Sequence, residues 1–478
     1  MPTTATETTA TPGTRDAAGI TICDPRTGET LWTVPETDPG AVNHAVEVAR
    51  SAAGEWAATA PADRGAALRA AARALDAAAH ELAGLNASET GRPVEEALAG
   101  IAAGVSTLEQ YAELGPVHRG HSLRGSQLAT DYTLAEPRGV AVLLTPWNDP
   151  VAVACGLIGA ALVTGNTVIH KPSERCPRLG EALGEVLAPA FPAGVFLTVS
   201  GGAGVGALLT RAEVDVLAHV GSSASGARIA QAGALTGAHV IRENGGNDPL
   251  LVDSDVDPAW AAEQAAIGAF SNSGQICTAV ERIYVHRAIA DEFCTALAAE
   301  AERRNSAGAV APLVDLRMRD EVHAQVAAAL DKGARATAGG SLPDGPGSFY
   351  PATVLLDCTD EMRVMTEETF GPVAPVQVVE TFDAGLQRAC SGKYGLAATV
   401  LSGNIAHIQQ AVAALPVGTV KVNAVFGGAP GGAAQPRGES GHGFGYGPEL
   451  LDEFSQVKVV HIEAPPARAA QHQAEDRP

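Results

Sequence analysis

Three side chains in this sequence could supply a nucleophile, an oxyanion donor and a base, and each sits in a turn-forming context. Cys277 lies in FSNSGQICTAVERIYV, between a small polar run and an alternating apolar run that predicts a strand. A thiol becomes a useful nucleophile where nearby donors or a helix N-terminus favour the thiolate. The same position suits a buried structural cysteine, and cysteine is among the residue types most often found in cores. Asn148 ends TPWN, after the apolar run GVAVLLTPW, at the kind of strand end where open α/β sheets keep their ligands. Its carboxamide either donates to a developing oxyanion or shapes a turn. Glu243 precedes two glycines in RENGG, where a carboxylate either reaches a ligand across exposed backbone or caps the turn. Glu243 and Cys277 are too far apart in sequence for local contact, so only the fold can unite them.

The elements that must position these groups follow from periodicity. From Pro39 to Gly104 the text is helical, Ala- and Leu-rich with Arg and Glu on the opposite face. Asp63 suits the N-cap of the second helix there. Residues 119–137 are polar and weakly alternating and predict a hairpin arm. Val/Leu-rich strands then alternate with helices, which implies a parallel sheet with right-handed crossovers. GGAGVGA, Gly201 to Ala207, follows the strand VFLTVS and opens a helix. It fits a phosphate-proximal turn or simple close packing. A second α/β series follows RENGGNDPLLV, and SQVKVVHIE is a late strand. The Gly/Pro-rich stretch from Gly427 to Pro448 is too long for an ordinary turn and predicts a functional loop or a boundary.

Bulk properties narrow the classes. A chain of 478 residues with 46% apolar content supports two or three domains and a large core. The formal charge of −22, with acidic residues outnumbering basic ones 54 to 32, disfavours nucleic acid or anionic membrane as the main partner. No run has the ~18 apolar residues of a membrane span, and the N-terminus lacks the layout of a signal peptide. A cytoplasmic location is expected. Seven widely spaced cysteines without C-x-x-C predict free thiols, neither a disulfide framework nor a metal site.

Taken together, the motifs resemble the NAD(P)-dependent aldehyde dehydrogenase superfamily over about residues 20–460. The matches are TPWN (145–148), KPSE (171–174), G-x4-G from Gly201 to Gly206, VGSS (220–223), E-x-G-G (243–246), GQxC (274–277), EExFGPV (367–373) and VN (422–423). ETGRP (89–93) fits as well. The resemblance implies an α/β aldehyde dehydrogenase-like fold: a Rossmann-like cofactor domain (19–118 and 138–242), a catalytic domain (243–451) and a small β oligomerisation arm (119–137 and 452–463). Residues 1–18 and 464–478 read as disordered ends. Homodimers or homotetramers are implied.

The resemblance also implies roles. Cys277 attacks the aldehyde carbonyl, Asn148 and the Cys277 backbone N–H hold the oxyanion, and Glu243 activates the water that hydrolyses the thioester. Thr145, Trp147, Lys171, Ser173, Glu174, Gly201, Gly206, Ser222, Gly245, Glu368 and Phe370 form the cofactor set. A carboxylate at Glu174 binds ribose hydroxyls and repels a 2′-phosphate, so NAD is expected over NADP. No metal is implied.

Several positions depart from the family pattern. Asn244 replaces an apolar residue, Asn247-Asp248 replaces a Lys-containing pair, and PRGESG (436–441) replaces GGxKxSG, which implies an altered substrate tunnel. GGNDP and TAVERIYV resemble the branch that handles lactaldehyde, phosphonoacetaldehyde and glyceraldehyde 3-phosphate. Phosphate-handling members place an arginine just before the cysteine, where this chain has Ile276. A second anchoring arginine is missing near Pro116-Val117. Each lost charge-assisted bond costs roughly 1.5–3 kcal/mol. A small or medium unphosphorylated aldehyde is therefore expected, with Ile276, Thr278, Arg437 and His442 as pocket candidates. His118, Arg119 and Arg124 are further positions from which a phosphate could be anchored. The alternatives are a phosphono-aldehyde dehydrogenase, a CoA-acylating relative, which the presence of Glu243 opposes, and a catalytically silent homologue.

Overall fold

The computed structural model describes residues 19–427 and 434–465. The first 18 residues and the tail from 466 lie outside it, as do residues 428–433 of the Gly-rich stretch.

Two sheets organise the chain. The first has six strands in the order Gly441–His442, His239–Asn244, Val216–Gly221, Val140–Leu144, Thr167–Lys171 and Phe196–Thr198. All run parallel except the short edge strand Gly441–His442, which pairs antiparallel with His239–Asn244. Val140–Leu144 and Thr167–Lys171 are buried along their whole length, as expected for parallel strands covered on both faces. The helix Pro150–Val163 is apolar on nearly every side and runs through the core of this half. It accepts the close approach of Val94–Leu114 because Gly104 faces Cys155, where a Cβ would stand 3.2 Å from the sulfur. Leu143, Leu157 and Ile158 are fully buried there, each contributing about 1.5–3 kcal/mol relative to exposure.

The second sheet has seven strands, in the order Arg335–Ala338, Thr353–Leu356, Val373–Val379, Val280–His286, Asp248–Val252, Ala397–Leu401 and Thr419–Val422. Only Arg335–Ala338 is antiparallel to its neighbour. The chain passes from the first sheet to the second through Gly245, Gly246 and Asn247, so Glu243 and Asn244 close one sheet while Asp248 begins the other. A third sheet joins Ala129–Pro137 to Ser455–Glu463 over nine antiparallel residue pairs, with Ser122–Leu123 on its far side. These strands occupy the stretches expected to form the arm. Val457, Val459 and Ile462 on Ser455–Glu463 are exposed.

One local expectation is corrected. The helix Pro61–Ala77 begins at Pro61 with Ala60 at the N-cap, and Asp63 falls within its first turn. Proline at the first helical position supplies the helical φ and needs no N–H partner, so it sets the start without a side-chain cap. Asp63 then contributes through the helix dipole instead.

Candidate active site

The C-terminal edge of the first sheet faces the N-terminal edge of the second, and the chemistry-bearing residues meet between them. Asn148 follows Val140–Leu144, Glu243 is the penultimate residue of His239–Asn244, and Cys277 leads into Val280–His286. Cys277 Sγ lies 3.9 Å from Glu243 Oε1, a long thiol–carboxylate contact. The Asn148 amide nitrogen donates to the Gln275 carbonyl at 3.1 Å, two residues before the cysteine.

The cysteine turn is shaped by unusual backbone. Asn272 and Ser273 have φ of 45° and 55°, and Gly274 has φ of 73°. Left-handed non-glycine residues carry strain that surrounding contacts must hold. Here Asn272 Nδ2 donates to the Gln275 carbonyl at 3.2 Å, and Gln275 Nε2 donates back to the Asn272 carbonyl at 3.0 Å. Gln275 Oε1 accepts from the Val314 N–H at 2.9 Å, and Ser273 Oγ donates to the Ala311 carbonyl at 2.6 Å. Gly274 admits no side chain, because a Cβ would collide with the Gly371 carbonyl.

Burial pushes the Cys277 thiol well above its ordinary range, and the carboxylates of Glu243, Asp248 and Glu368 push in the same direction. Lys421 acts the other way. Glu243 is also raised, by burial alone. The resting thiol is therefore protonated beside a carboxylate with raised proton affinity. The remaining cysteines are free. Cys155 and Cys358 are pushed up to about 12 by burial, which suits inert core thiols.

Asn148 is held from behind by a residue not singled out in the sequence. Arg92 Nη1 donates to the Asn148 carbonyl at 3.0 Å and to Asp149 Oδ1 at 2.8 Å, and its Nε lies 3.9 Å from Glu96. Gly100 leaves room for the Asp149 carboxylate, which stands 2.7 Å from where a Cβ would be. The turn carrying Glu368 and Phe370 is held by another such residue. The Glu281 carboxylate accepts from the Thr369 and Phe370 N–H groups at 2.6 and 2.8 Å, and Phe370 adopts φ of 53°. Adjacent Arg282 Nε donates to the Asn247 carbonyl at 2.8 Å. A buried Glu-Arg pair inside the apolar strand text TAVERIYV was the available signal for both.

Two of the expected cofactor residues, Ser222 and Glu368, line a cleft between the sheets. A cavity of about 360 Å³ is bounded by Ser222, Gln325, Glu367, Glu368, Lys393 and Tyr394, among others. Ser222 caps the helix Ser223–Thr236, accepting from the Ser225 N–H at 3.3 Å, and so marks a helix N-terminus suited to an anion. Glu368 accepts from the Gly246 N–H at 3.2 Å and sits where any Cβ on Gly245 would collide with its carboxylate. At the first sheet's edge, Lys171 Nζ donates to the Pro172 carbonyl at 2.8 Å and stands 4.0 Å from Glu174. Ser173 Oγ accepts from the Arg175 N–H at 3.3 Å. Gly206 is open to within 3.6 Å of Lys171 Cε, while Gly201 lies against Val205 of the helix it precedes. Thr145 Oγ1 pairs with His170 Nε2 at 2.8 Å, and burial depresses that imidazole to about 3, keeping it neutral. Trp147 meets Phe370 edge to face at 5.7 Å, with the Arg175 guanidinium 5.1 Å from its ring. An open carboxylate-lined cleft, a capped helix N-terminus and a Lys–Glu pair fit a dinucleotide.

Ile276 and Thr278 flank the cysteine and are half-buried. Arg437 and His442 are exposed, in short strand pairs opposite Gly395 and Arg242. Arg119 and Arg124 are exposed near the arm, and His118 Nε2 pairs with Asp452 at 2.8 Å.

Known proteins resemble this chain over nearly its whole length. The model of the Aldehyde dehydrogenase family matches residues 13–460. The chain is 34% identical over 469 residues to a betaine aldehyde dehydrogenase of Cereibacter sphaeroides, covering 95% of each. Among solved structures it resembles a lactaldehyde dehydrogenase with a TM-score of 0.91 and 29% identity, over 94% of this chain and 97% of that one. A betaine aldehyde dehydrogenase from Staphylococcus aureus in complex with NAD+ gives a TM-score of 0.91 and 28% identity, over 95% and 93% of the two chains.

Proposed function

The chain belongs to the aldehyde dehydrogenase family, and from that premise we propose that it oxidises an unphosphorylated small or medium aldehyde to a carboxylic acid, with NAD as cofactor. The observation that carries this reading is the 3.9 Å approach of Cys277 Sγ to Glu243 Oε1, with the Asn148 amide on the cysteine turn.

In the first step the thiol gives up its proton to solvent, and sulfur forms a C–S bond to the aldehyde carbon. The carbonyl oxygen becomes an oxyanion, stabilised by the Asn148 amide and the Cys277 backbone N–H. To do so, the Asn148 amide exchanges the Gln275 carbonyl for the substrate oxygen. Bound NAD supplies the acceptor for the hydride that leaves the aldehyde carbon, and the product on sulfur is a thioester. Glu243 then removes a proton from water. The resulting hydroxide adds to the thioester, and the C–S bond breaks to release the acid and regenerate the thiol. Ser222, Lys171, Glu174, Gly245 and Glu368 hold and orient the cofactor in this reading.

Ile276 supports the unphosphorylated substrate. It leaves the residue before the nucleophile without a charge for a phosphate, and the arginines nearest the expected anchoring region are exposed. The exposed apolar strand Ser455–Glu463 is proposed to meet a second copy of the chain. Steady-state NADH formation with lactaldehyde, betaine aldehyde, an aromatic aldehyde and phosphonoacetaldehyde tests the substrate class. Acid rather than acyl-CoA is expected as product even with CoA present, and Cys277→Ala should abolish turnover. Preference for the phosphonate would overturn the Ile276 argument, and no turnover on any aldehyde would favour a silent homologue.

A further inference from the structure

Asn244 and the PRGESG text (436–441), which runs on into the segment Glu439–Gly447, are departures from the family pattern that the reaction above does not use, and they meet at Glu243. The Asn244 N–H donates to the Ser440 carbonyl at 2.8 Å, and its buried Nδ2 donates to the Glu439 carbonyl at 2.7 Å. Gly441 pairs directly with Glu243 across the edge of the first sheet. The far end of the segment is tied to the same strand. The Phe444 N–H donates to Glu453 Oε1 at 3.1 Å, and the other Glu453 oxygen lies 2.6 Å from His239 Nε2. His239 begins the strand that carries Glu243 near its end. The segment is thus pinned at both ends to the element that carries the carboxylate.

Just past the second pin, Gly445 lies directly against the carboxylate. A Cβ there would stand 2.9 Å from Glu243 Cδ and collide with Oε2. Meanwhile Oε1 faces the Cys277 thiol. Among the described residues no backbone or other side-chain donor reaches this carboxylate. That absence is useful, because donors would lower its proton affinity and weaken it as a base. It also means that shape, not hydrogen bonding, must fix the position of the carboxylate.

We propose that Glu439–Gly447 is a seat for the Glu243 carboxylate, with Gly445 and Asn244 as positioning residues that aim it at the thiol and its ester. The altered PRGESG text then serves the base and not the substrate tunnel. Tyr446, next in the chain, is half-exposed and directly follows the glycine that touches the Glu243 carboxylate.

The proposal rests on the reading of Glu243 as the base of thioester hydrolysis, and one experiment separates the two. Full-length wild type, E243Q, G445A and N244A are mixed with NAD and an accepted aldehyde, quenched in acid, and analysed by intact mass for the acyl adduct on Cys277. General-base catalysis is worth roughly 10²–10⁴-fold, so a displaced base should lower steady-state turnover by about tenfold or more. G445A is expected to show this loss together with a rise in the acylated fraction toward that of E243Q. N244A, which frees the segment without adding bulk, should change in the same direction. If E243Q itself accumulates no adduct, the base assignment fails, and the seat fails with it. If E243Q accumulates adduct while G445A turns over like wild type, or loses turnover with no rise in adduct, the seat alone is overturned. Should G445A lack a cooperative thermal transition, N244A decides by the same criteria.

Discussion

Replacing Arg92 with methionine removes a guanidinium that touches neither thiol nor base, yet it should slow the chemistry. Its Nη1 holds the Asn148 carbonyl at 3.0 Å and Asp149 at 2.8 Å, on a side chain only 14% exposed. Hydrogen bonds to charged groups contribute roughly 1.5–3 kcal/mol. At about 1.36 kcal/mol per tenfold, loss of the hold on the Asn148 turn should cost about ten- to a hundredfold in kcat/KM. There is a ceiling: Arg92 acts through Asn148, so its loss cannot exceed that of Asn148→Ala, for which removal of one oxyanion donor suggests about 10²–10³-fold. Initial rates for R92M, R92K, N148A and the double variant R92M/N148A form a double-mutant cycle. R92M should cost little in the N148A background, R92K should recover part of the loss, and NAD affinity from fluorescence titration should stay near wild type. An R92M penalty that is undiminished in N148A, or matched by weakened NAD binding, would refute the reasoning.

Two further outcomes follow from side chains away from the thiol. Glu453 accepts from His239 and the Phe444 N–H, and these bonds outweigh the upward push of burial to leave its carboxyl below the usual range. A depressed carboxylate contributes stability above its unfolded value and loses it as pH falls through its folded value. Glu453→Gln should therefore lower Tm near pH 7, and the gap to wild type should close as pH falls through and below the ordinary carboxylate range; a constant gap in calorimetry would count against the linkage. In the proposed reading Glu174 stands at the cofactor's adenosine end, so Glu174→Gln should remove the charge that opposes a 2′-phosphate and lower the NAD/NADP ratio of kcat/KM by roughly tenfold or more. An unchanged ratio would place the discrimination elsewhere.

What could be read in advance depended on how local each signal was. TPWN, RENGG and GQIC each announced a turn at a strand end, and those turns lie together once the sheets face one another. Arg92 was legible only as part of ETGRP, because its meaning lies in a contact with the turn at 148–149 across the helix Val94–Leu114. Glu281 stood in plain view as a charge inside an apolar strand, but its partners, the Thr369 and Phe370 N–H groups, carry no side-chain signature. Gly445 was invisible for a similar reason. A glycine required by a neighbour's carboxylate looks like any other glycine in a Gly-rich stretch. Asp63 misled because capping preferences compete, and proline at the first position prevailed.

The three-residue crossing from Asn244 to Asp248 gives the reaction centre an unusual anatomy. Glu243 travels with one sheet and Cys277 with the other, so the gap between base and thiol is a measure of how the two halves are seated, not a property of either half alone. Turnover is then a readout of that seam. Whatever loosens it, by heat, denaturant or a substitution far from both side chains, misaligns hydrolysis while each half still keeps its own core.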